Sequence, residues 1–367
     1  MSKHEEELNK SIEYIKTNKD INPDYCISII DDSIETCKII NNKEKLSSFY
    51  GYRAYILGNK QDYKNAILNL KNSINILKQI EIENKKIRIA NLFNNLGILY
   101  TKLYMIDESI KSYEIARKYY IEADNGIGIV SVLTNLGVLY EQMNYLEKGY
   151  EMFKQALFMS FDKGLEVNGT LYANLANSLV YIDNSEMDLA DEYFQKALEV
   201  FNSSDDAKHI YDKITALQNY SIFLSKRNDF INSLKMIDES IKLSDFVNNR
   251  YEKFKSLMIK FELFTAMNRL NSAEDLLSWL DEEISYIDDL QLKIEYKSRI
   301  YNFYKVKGDF KKALEILEEQ ILLKDKYVNH KRDLAFIAME NRNEITNEKE
   351  KNEILYAKNN ELKKNNN

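Results

Sequence analysis

Four asparagines recur in phase along the chain: Asn95, Asn135, Asn174 and Asn219. Each stands just before a large apolar residue, namely Leu96, Leu136, Leu175 and Tyr220. Asparagine is a poor residue for the middle of a helix, because its side chain competes for backbone hydrogen bonds. Its amide carries both a donor and an acceptor. A row of such amides can hold the main chain of an extended peptide whatever the peptide's sequence. Nearby positions are polar and mostly uncharged: Asn91, Asn94, Thr134, Asn177 and Gln218. Arg299 takes the equivalent place further along, where a guanidinium can grip a carboxylate. These ten residues are the candidate ligand-binding set. The competing reading has each amide bonding to a neighbouring helix.

Other chemistry is hard to find. His4, His209 and His330 lie far apart, and none has a second ligand at helical spacing, so no zinc site is expected. No Ser-His-acid or Cys-His set stands in a recognisable catalytic context. Gly126-Ile127-Gly128 is a lone GxG, read as a turn between repeats rather than a dinucleotide fingerprint. Asp31-Asp32, Asp281–Glu283 and Asp288-Asp289 read as solvated turns and faces rather than metal ligands. No catalytic residue, metal or cofactor is expected. Cys26 and Cys37 are eleven residues apart. On one helix they would sit roughly 16 Å apart, too far for a disulfide.

The elements that must position the asparagines are helices. The 367 residues include one proline and ten glycines, too few for the turns of an all-β or α/β fold. Two segments show self-similarity. NNLGILYTKLYMIDESIKSYEIA begins at Asn94, and TNLGVLYEQMNYLEKGYEMFKQA begins at Thr134, forty residues on. They share Leu96, Gly97 and Tyr100 with Leu136, Gly137 and Tyr140. Small residues follow at Ser109 and Gly149, aromatics at Tyr113 and Phe153, and alanines at Ala116 and Ala156. Small residues belong where two helices cross closely. Leu175, Ala176, Ala190, Phe194 and Ala197 carry a further copy, and Tyr220, Ser221, Leu224, Ser233 and Ser240 another. Ala66, Ala273 and Ala313 mark three more.

This skeleton resembles the tetratricopeptide repeat, in the long variety of about forty residues rather than ~34. The resemblance implies an all-α, right-handed superhelical solenoid of seven or eight helix pairs over residues 1–326. It also implies that the first helix of each pair lines a concave groove, where asparagine ladders of related proteins hold peptides. Residues 327–367 read as a long charged helix with a partial heptad seam through Leu323, Tyr327, Leu334, Ile337, Leu355 and Leu362. Such a helix would cap the solenoid with a charged tail, or serve for homodimerisation or signal transmission.

The formal net charge of -7 argues against nucleic acid or an anionic membrane as partner. The start MSKHEEELNK has no secretory pattern, and no apolar run approaches a membrane span. The expected function is therefore a cytoplasmic, bacterial, non-catalytic scaffold or sensor whose partner is a protein or extended peptide. Two alternatives stand beside it. One is the sensory region of a histidine kinase or diguanylate cyclase that lacks its output domain. The other is a peptide-regulated, response-regulator-phosphatase-like protein.

Overall fold

A computed structural model describes residues 3–182, 186–203, 209–333 and 336. These residues are helical throughout, joined by short turns. In order the helices are α1 (Lys3–Asn18), α2 (Pro23–Ile39), α3 (Lys43–Asn59), α4 (Tyr63–Lys78), α5 (Lys85–Lys102), α6 (Ile106–Glu122), α7 (Gly126–Gln142) and α8 (Leu146–Asp162). They continue as α9 (Gly169–Ile182), α10 (Met187–Ser203), α11 (Ile210–Lys226), α12 (Phe230–Phe246), α13 (Arg250–Ala266), α14 (Leu270–Tyr286) and α15 (Leu290–Lys307). A further helix, α16, is described over 310–333. The all-helical, paired architecture expected from the repeat is present, with eight hairpins among the described residues. Leu334, Ile337, Leu355 and Leu362 of the expected carboxy-terminal seam lie outside the described residues.

One turn design joins most of the helices, and it explains the low glycine count. A left-handed residue follows the last helical turn: Asn41, Gln61, Tyr104, Asp124, Asn144, Asn228, Asn248, Asn268 or Gly308. The next residue's N–H then bonds the carbonyl five positions back, as in Asn42 to Cys37 (2.9 Å) and Asp229 to Leu224 (2.9 Å). This 6→1 closure satisfies carbonyls that would otherwise be orphaned. Asparagine tolerates the left-handed region better than most non-glycine residues, so it takes over here from glycine. The same third residue frequently caps the next helix. Asn42, Asp62, Asp229, Asn249 and Asp309 accept from the amides of Lys45, Asn65, Asn232, Glu252 and Lys312. Pro23 sits in the first turn of α2, where its missing N–H costs nothing.

The chain falls into two compact units, with the division between Leu136 and Gly137, inside α7. In the first, Phe49, Ile56, Cys26 and Cys37 are fully buried around α2 and α3, the cysteines as free thiols. Ile74, Leu92, Leu96 and Tyr100 form a second cluster. In the second unit Phe194, Tyr220 and Phe223 pack together, as do Phe254, Phe261, Tyr296 and Phe303.

The small residues of the repeat do two kinds of work. In the first unit a Cβ on Gly97 would lie 2.5 Å from the Tyr113 ring, and one on Gly128 only 2.2 Å from Tyr120. In the second unit a Cβ on Gly137 would meet Phe153 at 2.3 Å. These glycines are seats for aromatic rings. Elsewhere buried serines take the crossing and bond across it. Ser221 Oγ donates to the Ser233 carbonyl at 3.0 Å, and Ser233 Oγ donates to that of Ser221 at 2.8 Å. Ser47 and Ser73 do the same in the first unit.

Two expectations need correction. Gly126-Ile127-Gly128 is not a turn: it opens α7, and the turn is made by Asp124 and Asn125 just before it. Gly128 is required by the Tyr120 ring. The acidic segment Asp281–Glu283 is not simply solvated: Glu283 is buried and bonded to Arg250 of α13, while Asp281 accepts from the Tyr296 hydroxyl at 2.8 Å.

Candidate functional site

The left-handed turn residue gives a ruler for each first helix. Nine residues before it stand Tyr52 on α3, Asn95 on α5, Asn135 on α7, Asn219 on α11, Ile259 on α13 and Arg299 on α15. Positions six and two before it lie on the same helix face, because steps of three and four residues return to one side. Asn95, Asn135, Asn219 and Arg299 therefore share one position of their helices, and Asn94, Thr134 and Gln218 stand one residue before it.

In the first unit, Asn135 Nδ2 donates to Asn94 Oδ1 at 3.0 Å, so these two amides bond α7 to α5. Asn91 accepts from the Tyr120 hydroxyl at 2.5 Å and so positions the ring seated on Gly128. Thr134 donates to its own helix, at the Val130 carbonyl (2.9 Å). Asn95 is the exception. It is exposed, its side chain has no hydrogen-bond partner among the described residues, and it lines a cleft of about 200 Å³ between α3, α4 and α5. Ala54, Leu70, Ile98 and Leu99 form its apolar lining, with Tyr55, Asn59 and Lys102 alongside.

In the second unit, Asn174 and Asn177 of α9 and Asn219 of α11 are half-buried. Their side-chain amides have no partner among the described residues. Gln218 is a correction to the candidate set. It is 3% exposed and donates to Glu252 Oε2 and Ser256 Oγ, both at 3.0 Å, which joins α11 to α13. Arg299 is a second correction, since its charge is already used. Its Nε donates to Glu262 Oε2 at 2.9 Å, and Glu295 lies 3.8 Å away.

Two residues that the sequence reading missed share this face. Lys226, seven residues after Asn219, places Nζ 4.1 Å from the centre of the Tyr181 ring. Burial lowers the pKa of its ammonium, against an opposing pull from Glu262. The signal was available, since Lys226 and Tyr181 are each a whole number of helical turns from an in-phase asparagine. Among the described residues no group of three His, Cys, Asp or Glu gathers as a metal site, and no helix is long and apolar enough to cross a membrane.

What this arrangement can do is bind through hydrogen bonds. It presents amides and a lysine ammonium on a preformed helical surface, beside aromatic rings.

Residues 130–162 match the tetratricopeptide repeat. No curated protein matches the sequence. Among solved structures, the apo form of the quorum sensor NprR from B. thuringiensis is similar with a TM-score of 0.61 at 13% identity, covering 86% of this chain and 87% of that one. The Rap conjugation gene regulator of the plasmid pLS20, in complex with the Phr* peptide, gives 0.56 at 16% identity over 88% and 94%. Aspartyl phosphate phosphatase F from Bacillus subtilis gives 0.58 at 13% identity over 88% and 95%. At such identities the likeness is one of fold. Residues 130–162 thus match one tetratricopeptide repeat, and the chain shares the paired-helix fold of these solved structures.

Proposed function

We propose that this protein is a non-catalytic receptor for an extended peptide, held by its main chain on the first-helix face of α9 and α11. The observation that carries the proposal is the set Asn174, Asn177 and Asn219, three half-buried amides without a partner among the described residues. Amides that the fold does not pair remain available to a ligand, and a peptide backbone offers the matching donors and acceptors. Helices already formed reduce the ordering cost of binding. The similar fold of a regulator solved with the Phr* peptide supports the same reading.

The receptor works in the cytoplasm, consistent with its buried free thiols, and its net charge of -7 disfavours nucleic acid. A phosphatase-like regulator is the second reading, supported by the fold shared with aspartyl phosphate phosphatase F.

The test is selection from a randomised synthetic peptide library on immobilised wild-type protein and on Asn174→Ala/Asn219→Ala. Enrichment of a peptide family by the wild type alone is the expected result. No enrichment by the wild type, or equal enrichment by both, rejects the reading.

A further inference from the structure

We infer that a second copy of this chain docks on the outer face of α16, antiparallel to the first. One side of α16 packs on its own unit. Ala313, Ile316 and Gln320 are buried there, with Gln320 donating to the Ile294 carbonyl at 3.2 Å. Leu323 and Tyr327, the start of the heptad seam expected from the sequence, are also turned inward, and the Tyr327 hydroxyl donates to Gln291 at 2.9 Å. They do not form the pairing surface.

A different stripe does. Phe310, Leu314 and Ile321 are 70%, 57% and 50% exposed, and half-buried Leu317 completes the row. Their spacing of four, three and four residues is the heptad spacing of a two-stranded coiled coil. Lys324 interrupts the stripe at its next position.

The occupant follows from symmetry and charge. A two-fold axis between positions 315 and 316 sets Phe310 opposite Ile321 of the other copy, and Leu314 opposite Leu317. All four apolar layers are then filled by identical helices over roughly 16 Å. The side chains that flank the seam on its free side are Lys311 and Glu318, and neither has an ion pair among the described residues. In the antiparallel arrangement each Lys311 faces the other copy's Glu318, twice over. In a parallel arrangement they would face the flank that holds Ala313 and Gln320, which is buried in its own unit. The surface is self-complementary in one orientation only, as an isologous contact requires.

Sedimentation equilibrium of the full chain across a concentration series tests this. The wild type is expected to dimerise. Leu314→Glu should be monomeric with unchanged helical circular dichroism, because the side chain it replaces is exposed. Lys311→Glu and Glu318→Lys should each weaken dimerisation about tenfold, the scale of a charge-pair loss made repulsive, and the double variant should restore it. A monomeric wild type, a dimer indifferent to Leu314→Glu, or a double variant no better than the singles overturns the inference.

Discussion

The first-helix face of the first unit and that of the second are built from the same sequence positions and end with opposite chemistry. In the first unit the in-phase amides mostly serve the fold: Asn135 bonds Asn94, and Asn91 holds Tyr120. Asn95 has no side-chain partner among the described residues and lies at the rim of an apolar cleft. In the second unit Asn174, Asn177 and Asn219 have no side-chain partner among the described residues, while the charged members close on each other through Glu262 and Arg299. A residue type that recurs in phase marks a shared geometric position. Whether it faces a ligand is decided by what the next helix presents three or four residues away.

The largest effect expected from breaking this pattern is structural. Gly97→Leu places a side chain where a Cβ alone would meet the buried Tyr113 ring. The ring has nowhere to go, and overpacking of this kind costs roughly 3 kcal/mol. Thermal unfolding should show it as a lowered Tm. Gly51→Ala is the control, because its Cβ meets only Leu92 at 3.8 Å, and it should raise stability by about 0.5 kcal/mol.

The second effect separates the two faces directly. Asn174→Ala/Asn219→Ala should lower the affinity for a selected peptide by tenfold or more, about 1.4 kcal/mol, with no loss of Tm, since alanine favours helix. Asn94→Ala/Asn135→Ala should do the reverse: a slightly lower Tm and unchanged affinity. If titration shows both pairs losing affinity equally, the distinction between the units is wrong.

The sequence made the repeat legible because each signature residue has a local physical cause. Gly97 and Gly137 must be small under a ring, Ala116 and Ala156 are buried at crossings, and the turn must hold one left-handed residue. Pairings between helices were not legible. Arg299 looked like a hand for a ligand carboxylate because its partner, Glu262, is thirty-seven residues away and belongs to the previous repeat. Gln218 looked like a groove amide, yet it lies one residue from the free position occupied by Asn219. That single step of about 100° turns it from the open face into α13. The GxG was misplaced for a related reason: asparagine and aspartate make these turns, so the glycines there were free to serve packing.

A smaller effect tests whether glycine and serine are equivalent solutions to the same crossing. Seven residues before the turn, the first unit has Gly97 and the second has Ser221. Ser221→Ala removes one bond to the Ser233 carbonyl, worth about 1 kcal/mol, and regains about 0.5 kcal/mol of helix propensity. Calorimetry should find a net loss near 0.5 kcal/mol, far below that of Gly97→Leu. A loss as large would mean that the serine pair, and not ring seating, sets the tolerance of the crossing.

The smallest effect belongs to a half-buried carboxyl of the second unit. Glu141 on α7 accepts from Ser178 Oγ of α9 at 2.5 Å. Burial raises its pKa above the ordinary glutamate value, and the Ser178 bond pulls partly the other way. A carboxyl whose folded pKa exceeds its unfolded pKa binds its proton more tightly in the folded state. Its contribution to stability is thus fully present below the unfolded value and is lost as pH rises through the raised folded value. Glu141→Gln keeps an acceptor for Ser178 and removes the partly desolvated charge. It should therefore be more stable than wild type near neutral pH, with the gap closing as pH falls into the glutamate range. Paired melting curves across that range measure the gap. A difference independent of pH would show that the carboxyl is ionised equally easily in the folded and unfolded chain, and that the contact between α7 and α9 is as solvated as the amides of α9 that lie beside it.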